Sequence, residues 1–465
     1  MPENSADLKR NGNTFAGKLA FFLLLATIVW TTLAYGTVHQ PIIALFYVFV
    51  VLVVILWAID SLVSGTIRFD KSQLQIPIAA AAIYGFIQTI PFGSVAVPGG
   101  VETVPNTISV APFWTRLASA HFVALFAFFA SMLVFTNSVR RIKKIVQLIT
   151  IFGFIFAFFA ILQSFLSPDK IYGIYESKYA EPFGSFVNRH NFAAFMEMSI
   201  ALPLGLLFGG AVEKDKRLIY VTAIGLMGIA LLLSGSRGGF VSIIAGVVFL
   251  VFVSTGTSGT RDKIVKGAMA VILIIVFVAG SILVGGESSL TRFAETATSD
   301  NFSTNRIQIW SVTLDVIQHH LPFGAGLGAF GVAYTPFDPN NGFERVEQAH
   351  NDYLEVVADA GVVGALIGAF FLFALFRTGL RNIKVENRYR RGVALGAFAG
   401  CFSILVHSAF DFILHISAIT ILFLTLLTLL VVSGREYSDD VKLVPLGRKT
   451  KRKKASVTSL EERRR

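Results

Sequence analysis

The sequence predicts an all-α fold, a polytopic bundle of about twelve membrane-spanning helices, and three observations support it. Of the 465 residues, 54% are hydrophobic and only 15% are charged, which leaves too little polar surface for a soluble domain. The apolar residues form long runs, and about twenty apolar residues in a row span a bilayer core. Helices also satisfy their own backbone hydrogen bonds in lipid, whereas open sheets do not.

Twelve apolar runs have the length of a membrane span, although the third is short. The first run follows Lys9, Arg10 and Lys18, as a signal peptide would. It is long and lacks a small-residue cleavage site, so we expect it to stay in the chain. The predicted spans are 17–36, 41–63, 75–92, 113–136, 145–166, 191–212, 218–234, 238–254, 264–285, 357–377, 392–410 and 412–433.

The short loops predict the orientation, because loops rich in Lys and Arg stay in the cytoplasm. Every second loop is basic, and the loops between them are nearly free of clustered basic residues. We therefore expect a multi-pass protein of the inner membrane with both termini in the cytoplasm. The basic loops hold Arg68 and Lys71, the block 140–144, the run 213–217, Arg261 and Lys263, and the segment 381–391.

The net charge of +11 does not indicate a nucleic-acid partner. Residues 434–465 hold eleven Lys or Arg and five Asp or Glu, which supplies +6 of that total. The other basic residues lie beside apolar runs, where membrane orientation requires them. We expect the tail, with GRKTKRKK at 447–454, to be a disordered cytoplasmic segment that faces lipid.

Two predicted outer loops, 167–190 and 286–350, are long, and such loops are usually functional or disordered. Residues 305–321 repeat apolar side chains at helical spacing, which predicts an amphipathic helix that ends before Pro322. The predicted organisation is a cytoplasmic N-terminus 1–16, helices one to nine over 17–285, a periplasmic loop 286–350, helices ten to twelve over 351–433, and a basic cytoplasmic tail 434–465.

A glycine-rich turn follows that helix, where Gly326, Gly328 and Gly331 match G-x-G-x-x-G. A dinucleotide site would need a preceding strand and a cytoplasmic nucleotide pool, and the sequence predicts neither. We expect instead a tight turn in which backbone approaches backbone.

Arginines at the predicted outer ends of spans are exceptions to the basic-inside rule. They are Arg189, next to His190, then Arg237 and Arg306. Charge near the membrane is costly and suggests function. The planar guanidinium suits a diphosphate, and several together would hold one without metal. The alternative is that each arginine reaches lipid headgroups or pairs with a carboxylate.

His350 lies at the entrance to the tenth span, where a neutral imidazole is suited to accept a proton from an attacking hydroxyl. A helix over 350–361 would place it above an apolar stripe. The alternative is a histidine that caps a helix or forms a hydrogen bond to a loop.

A metal site that combines His350 with His319 and His320 lacks any ligand spacing that supports it, so we expect no metal. Asp411, near His407 and His415, either pairs with an arginine or is structural.

These residues lie in motifs that resemble the O-antigen ligase and polymerase superfamily of bacterial membrane proteins. The resemblance covers about 180–415 and is strongest at 305–365. The first 110 residues match only in hydropathy. The motifs are GSFVNRHNFAAF, LLLSGSRGGF, NRIQIW with LPFGAGLGAFG, and AHNDYLEVVADAGVVG, whose H-N-x-x-L element precedes a span.

The resemblance implies a metal-independent, inverting glycosyltransferase of the GT-C type that acts at the periplasmic face and has no cofactor. Its donor would be a glycan on undecaprenyl diphosphate, and its acceptor lipid A–core in a ligase or another lipid-linked glycan in a polymerase. By motif position, His350 would be the catalytic residue, and Arg237, Arg306 and, on a looser pattern, Arg189 would bind the diphosphate. Supporting residues would be Asn351, Trp310 and Asp411.

The sequence does not decide which reaction of this family the protein would catalyse. It could be a ligase, or a polymerase of O-antigen or exopolysaccharide. A secondary transporter or exporter is a more remote alternative. Transporters place polar groups near the bilayer midplane and often contain internal repeats. Here the polar groups gather at span ends, which favours the transferase.

Overall fold

The computed structural model describes residues 14–95, 103–177, 180–255, 300–340, 342–343, 345–435 and 441–445, with single positions between 264 and 275. Helices dominate these residues. They are α1 Phe15–Leu33, α2 Gln40–Ser64, α3 Gln75–Gln88, α4 Pro112–Phe135, α5 Val139–Leu166, α6 Arg189–Phe208, α7 Arg217–Leu233, α8 Arg237–Thr255, α9 Asp300–His320, α10 Phe330–Tyr334, α11 Asp352–Asn382, α12 Arg388–His407 and α13 Ser417–Ser433.

The helical bundle confirms the predicted fold class. In the described part of the chain, nine helices are long and apolar enough to cross a membrane, and α3 and α13 are shorter apolar helices. Each of these eleven helices coincides with a predicted span. The predicted ninth span, 264–285, lies outside the described residues apart from a few single positions.

Several boundaries differ from the prediction, in part because hydropathy does not register polar residues at the start of a helix. Helix α3 ends at Gln88 and not at 92. Helix α6 begins at Arg189, so the arginine and His190 belong to its first turn. Helix α11 begins at Asp352, five residues before the predicted span, and continues to Asn382.

The centre of the bundle is formed by α6, α12 and α13. All seventeen residues of α13 are buried, and so is nearly all of α6. Helices α6 and α12 approach closely at glycines: a Cβ added to Gly205 would lie 2.1 Å from the backbone nitrogen of Gly396. Small residues are the usual means by which membrane helices bring their backbones together. This contact places the first turn of α6 beside the last turn of α12.

Three short antiparallel strand pairs join the connecting segments. Strand β1 (Thr66–Asp70) pairs with β6 (Val441–Pro445), while β2 (Ser94–Val95) pairs with β3 (Val104–Pro105) and β4 (Lys170–Ile171) with β5 (Tyr175–Glu176). The β1–β6 pair corrects part of the disordered-tail prediction, because five residues of the tail form a strand. The basic run 447–454 lies outside the described residues.

The loops that connect the helices lie at the two ends of the bundle, and their polar residues form a separate group at each end. At one end, Arg435 pairs with Asp70 at 2.7 Å, Arg68 pairs with Asp60, and Arg141 donates to the carbonyl of Gly17 at 3.2 Å. Loops predicted to be cytoplasmic therefore meet one another. The other end carries the turns between α7 and α8 and between α12 and α13; we call it the pocket end. Which side of the membrane it faces stays a prediction.

The glycine-rich turn after α9 packs against α11. Val362 donates its N–H to the carbonyl of Pro322 at 2.9 Å. Gly361 has a φ of +58°, and a Cβ on it would lie 2.1 Å from that same carbonyl oxygen. Gly328 donates to the Asp359 carboxylate at 2.6 Å. Backbone thus approaches backbone here, and α11 bends at Gly361.

Candidate active site

The three predicted arginines line one pocket at the pocket end of the bundle. Arg189 opens α6, Arg237 opens α8, and Arg306 lies in the first half of α9. Two helix N-termini therefore point their partial positive charge at the same place as the guanidinium groups. The pocket is lined by Arg189, His190, Gly235, Arg237, Gly238, Arg306, Phe410 and Asp411.

The residues that precede Arg189 and Arg237 explain why these two arginines lie at helix starts. The Asn188 side chain accepts from the N–H of His190 at 2.8 Å and caps α6. The Ser236 hydroxyl oxygen accepts from the N–H of Gly239 at 3.2 Å and caps α8. Asparagine and serine are preferred at this position because they satisfy free N–H groups. Gly235 supplies the positive φ, +64°, of the turn before Ser236.

Asp411 lies beside Arg306. Its carboxylate is 3.6 Å from a guanidinium nitrogen, and Arg306 also donates to the carbonyl of Phe410. An arginine–carboxylate pair is one of the two alternatives that the sequence left open for Asp411. This contact holds the guanidinium at the pocket wall.

Asp411 also bonds His350, with 3.0 Å between Nδ1 and Oδ1. Burial alone would raise the pKa of Asp411, but the hydrogen bond from His350 and the charge of Arg306 hold it well below its usual range. The carboxylate is therefore ionised and only accepts, so Nδ1 carries a hydrogen, and in a neutral imidazole Nε2 then carries the lone pair. This is the arrangement of a general base with an orienting carboxylate.

His350 itself is not part of a helix, which corrects the prediction of a helix over 350–361. It has a φ of +52° and precedes Asn351, whose side chain caps α11 by accepting from Tyr353 at 3.0 Å and Leu354 at 3.1 Å. The imidazole is held by the turn, and not on the apolar stripe of α11. Its ring meets Phe412 edge-on, with centroids 4.9 Å apart.

Contacts on both sides fix the backbone of this turn. Trp310 donates from Nε1 to the carbonyl of Ala349 at 3.0 Å, and the N–H of Ala349 donates to Glu355 at 2.8 Å. Glu355 in turn contacts His415 at 3.1 Å. These bonds explain how a non-glycine residue keeps a positive φ, since such strain persists only where the surroundings over-determine it.

His415 bridges two carboxylates at the start of α11. Its Nδ1 lies 3.1 Å from Asp352, and its Nε2 lies 3.1 Å from Glu355. Desolvation alone would lower the pKa of His415, but Glu355 and Asp352 hold it well above its ordinary value. A protonated His415 therefore ties the turn after α12 to the helix that follows His350.

The structure thus brings most of the predicted site residues together. Arg189, Arg237, Arg306 and Asp411 share the pocket, and His350 joins them through Asp411. Trp310 and Asn351 act on the backbone on either side of His350. His319 and His320 meet edge-on at the end of α9, with ring centroids 4.9 Å apart.

Sequence reasoning missed two groups near the site. Glu355 was overlooked because hydropathy placed the start of the span after it, although an acidic residue that follows an N-cap such as Asn351 is typical of the first turn of a helix.

The second group is the fully buried pair of Glu197 and His407, 3.1 Å apart. A Cβ on Gly238 would lie 2.9 Å from His407 Nε2, so this pair lies directly behind the pocket wall. No sequence pattern links two residues so far apart in the chain.

The family model described as O-antigen ligase matches residues 222–369, about a third of the chain. The match contains Arg237, Arg306 and His350, and it excludes Arg189 and Asp411. No curated protein matches the chain.

Proposed function

We propose that this chain, whose residues 222–369 match the O-antigen ligase family model, is a metal-independent, inverting glycosyltransferase of the ligase type. The proposed donor is a glycan on undecaprenyl diphosphate, and the proposed acceptor is lipid A–core at the periplasmic face of the inner membrane. The observation that carries the proposal is the convergence of Arg189, Arg237 and Arg306 beside the paired His350 and Asp411.

The arginines suit the leaving group of such a reaction. A diphosphate gains negative charge as the bond to the anomeric carbon breaks, and fixed donors aimed at developing charge are the strongest catalytic contribution that many enzymes make. Guanidinium groups offer paired donors to phosphate oxygens and stay charged. Carboxylates already hold two of these guanidinium groups, because Asp411 lies beside Arg306 and Glu181 pairs with Arg189.

The acceptor hydroxyl is then activated by His350. Nε2 accepts the hydroxyl proton while the acceptor oxygen bonds to the anomeric carbon, and the diphosphate departs with the electron pair of the broken bond. Attack from the face opposite the leaving group inverts that carbon. Asp411 holds the imidazole in the tautomer with Nε2 free and stabilises the imidazolium that forms. Helix α9 carries Arg306 and Trp310, so it couples the diphosphate pocket to the His350 turn.

The test is gel analysis of surface glycans in cells that lack this gene and carry wild type, His350→Ala, or His319→Ala as the matched control. A ligase predicts long lipid-linked chains with none on lipid A–core in the deletion strain. Wild type and His319→Ala should restore the transfer, and His350→Ala should not, at equal protein level in the membrane.

The other outcomes contradict the proposal in distinct ways. Single repeats attached to core, with long chains lost, would make the protein a polymerase. Unchanged surface glycans in the deletion strain would remove lipopolysaccharide as the product. Full complementation by His350→Ala would favour a transporter, because a transporter does not need this base.

A further inference from the structure

A histidine without a role in the proposed reaction lies in the same pocket. His190 lines it beside Arg189, Arg237 and Arg306, and the sequence already marks it as a polar residue at a span end. Its Nδ1 lies 2.9 Å from the Ser236 hydroxyl oxygen. The other ring nitrogen, Nε2, is therefore the one available to a ligand.

The contact with Ser236 lets Nε2 of His190 act as a donor. A serine hydroxyl can donate one hydrogen bond and accept two, and here its oxygen accepts from the N–H of Gly239 at 3.2 Å. Its own hydrogen can therefore go to His190 Nδ1. A phosphate oxygen only accepts, so a neutral imidazole that binds it carries its hydrogen on Nε2 and accepts from Ser236 at Nδ1.

We propose that neutral His190 donates its Nε2–H to a diphosphate oxygen in this pocket, as a fourth ligand group beside the three arginines. The identity of the ligand rests on the proposed function, whereas the placement of Nδ1 toward Ser236 rests on the contact between them. Two capped helix starts thus contribute side by side: α6 carries the donor, and the serine that caps α8 orients it.

A neutral donor adds something that the arginines do not. A guanidinium attracts any nearby anion, and this attraction is weakened by salt. An N–H donor is directional, because a hydrogen bond weakens steeply away from linearity. His190 would therefore fix the position of the phosphate oxygen without adding to the salt dependence of binding.

The experiment measures binding of undecaprenyl diphosphate to the full-length protein in detergent, with two matched variants. In His190→Gln the side-chain amide reaches about as far as Nε2 and keeps a donor there. In His190→Asn the amide ends near the Nδ1 position and keeps the group that faces Ser236, but it loses the donor to the ligand. We expect His190→Asn to bind roughly tenfold more weakly and His190→Gln to stay within about threefold of wild type, the effect of one hydrogen bond to a charged group.

Salt dependence separates this role from that of an arginine. His190→Asn should shift the dissociation constant equally at low and high salt, whereas Arg237→Gln should also flatten its dependence on salt. Equal affinity in wild type and His190→Asn, or a weaker His190→Gln than His190→Asn, would overturn the inference and leave the proposed function intact. A wild-type protein that does not bind the lipid diphosphate would overturn both.

A measurement on wild type keeps the inference testable if the variants fold poorly. Diethylpyrocarbonate modifies neutral imidazole, and peptide mass spectrometry locates the modified histidine. We expect saturating undecaprenyl diphosphate to reduce modification of His190 at least fivefold, while His319 at the end of α9 serves as the internal control. Unchanged modification of His190 under saturation would overturn the proposal.

Discussion

At the scale of single residues, Asp411 contacts both the proposed base, His350, and one of the arginines proposed to bind the diphosphate, Arg306. One carboxylate oxygen lies 3.0 Å from His350 and the other lies 3.6 Å from Arg306. Its side chain is only 5% exposed, so solvent does little to screen either contact. The same group orients the proposed base and positions one of the arginines.

Replacing Asp411 by Asn should therefore impair transfer nearly as much as removing His350. The amide fills the same space but has no charge, so it neither stabilises an imidazolium nor holds Arg306. We expect glycan transfer by the purified protein to fall by on the order of a hundredfold or more. Asp169→Asn, in an exposed loop of the same end, is the control and should keep full activity. Full activity in Asp411→Asn at unchanged thermal stability would contradict this assignment.

How far the sequence predicts the site depends on the kind of signal. The arginines were predicted because each breaks the basic-inside rule. The bond between His350 and Asp411 was not, because 61 positions separate the two residues and no periodicity connects them. The start of α11 was predicted wrongly from hydropathy, since Asp352 and Glu355 are buried by pairing with His415 and not by apolar packing. Charge pairs of this kind leave no trace in a hydropathy pattern.

At the scale of elements, α11 bends where the glycine-rich turn packs against it. Gly361 has a φ of +58° and faces the carbonyl of Pro322, and the glycine-rich turn connects Pro322 to α10. Hydropathy predicts the helices well because each must satisfy its own backbone in lipid. It does not predict a bend, because a bend depends on the element that packs against it.

Gly361→Ala should destabilise the protein far more than the same change elsewhere in α11. The added methyl group meets the Pro322 oxygen at 2.1 Å in a backbone conformation that suits glycine, which costs about 2–4 kcal/mol. Gly368→Ala is the matched control, because nothing lies within 4 Å of a Cβ there and alanine favours a helix. Thermal unfolding in detergent measures both. Equal melting temperatures for the two variants would contradict the close packing described here.

At the scale of the whole molecule, two groups of charged residues lie at opposite ends of the bundle. Acidic and basic partners such as Asp70 and Arg435 meet at one end, and the three pocket arginines lie at the other. The charge of the short loops predicts the side of the basic loops, and the pocket arginines are exceptions to that rule. In the predicted orientation, the pocket opens to the periplasm.

Thiol labelling tests the orientation. In a Cys401→Ser background, Asp169→Cys reports on the pocket end and Asp215→Cys on the opposite end; both aspartates are exposed. We expect a membrane-impermeant maleimide to label Asp169→Cys in intact spheroplasts and Asp215→Cys only after permeabilisation. Protein with Cys401 alone should stay unlabelled, because that thiol is buried. The reverse order of labelling would invert the topology.

The five groups of the proposed site come from separate stretches of chain, and two of them, Arg189 and Asp411, fall outside the matched residues 222–369. A graft of that segment into another family member would import His350 without its orienting carboxylate. The chimera would then depend on whichever acidic side chain the host presents after its penultimate helix. Swaps that are meant to exchange donor or acceptor preference should therefore move the stretch from 189 to 411 as one module.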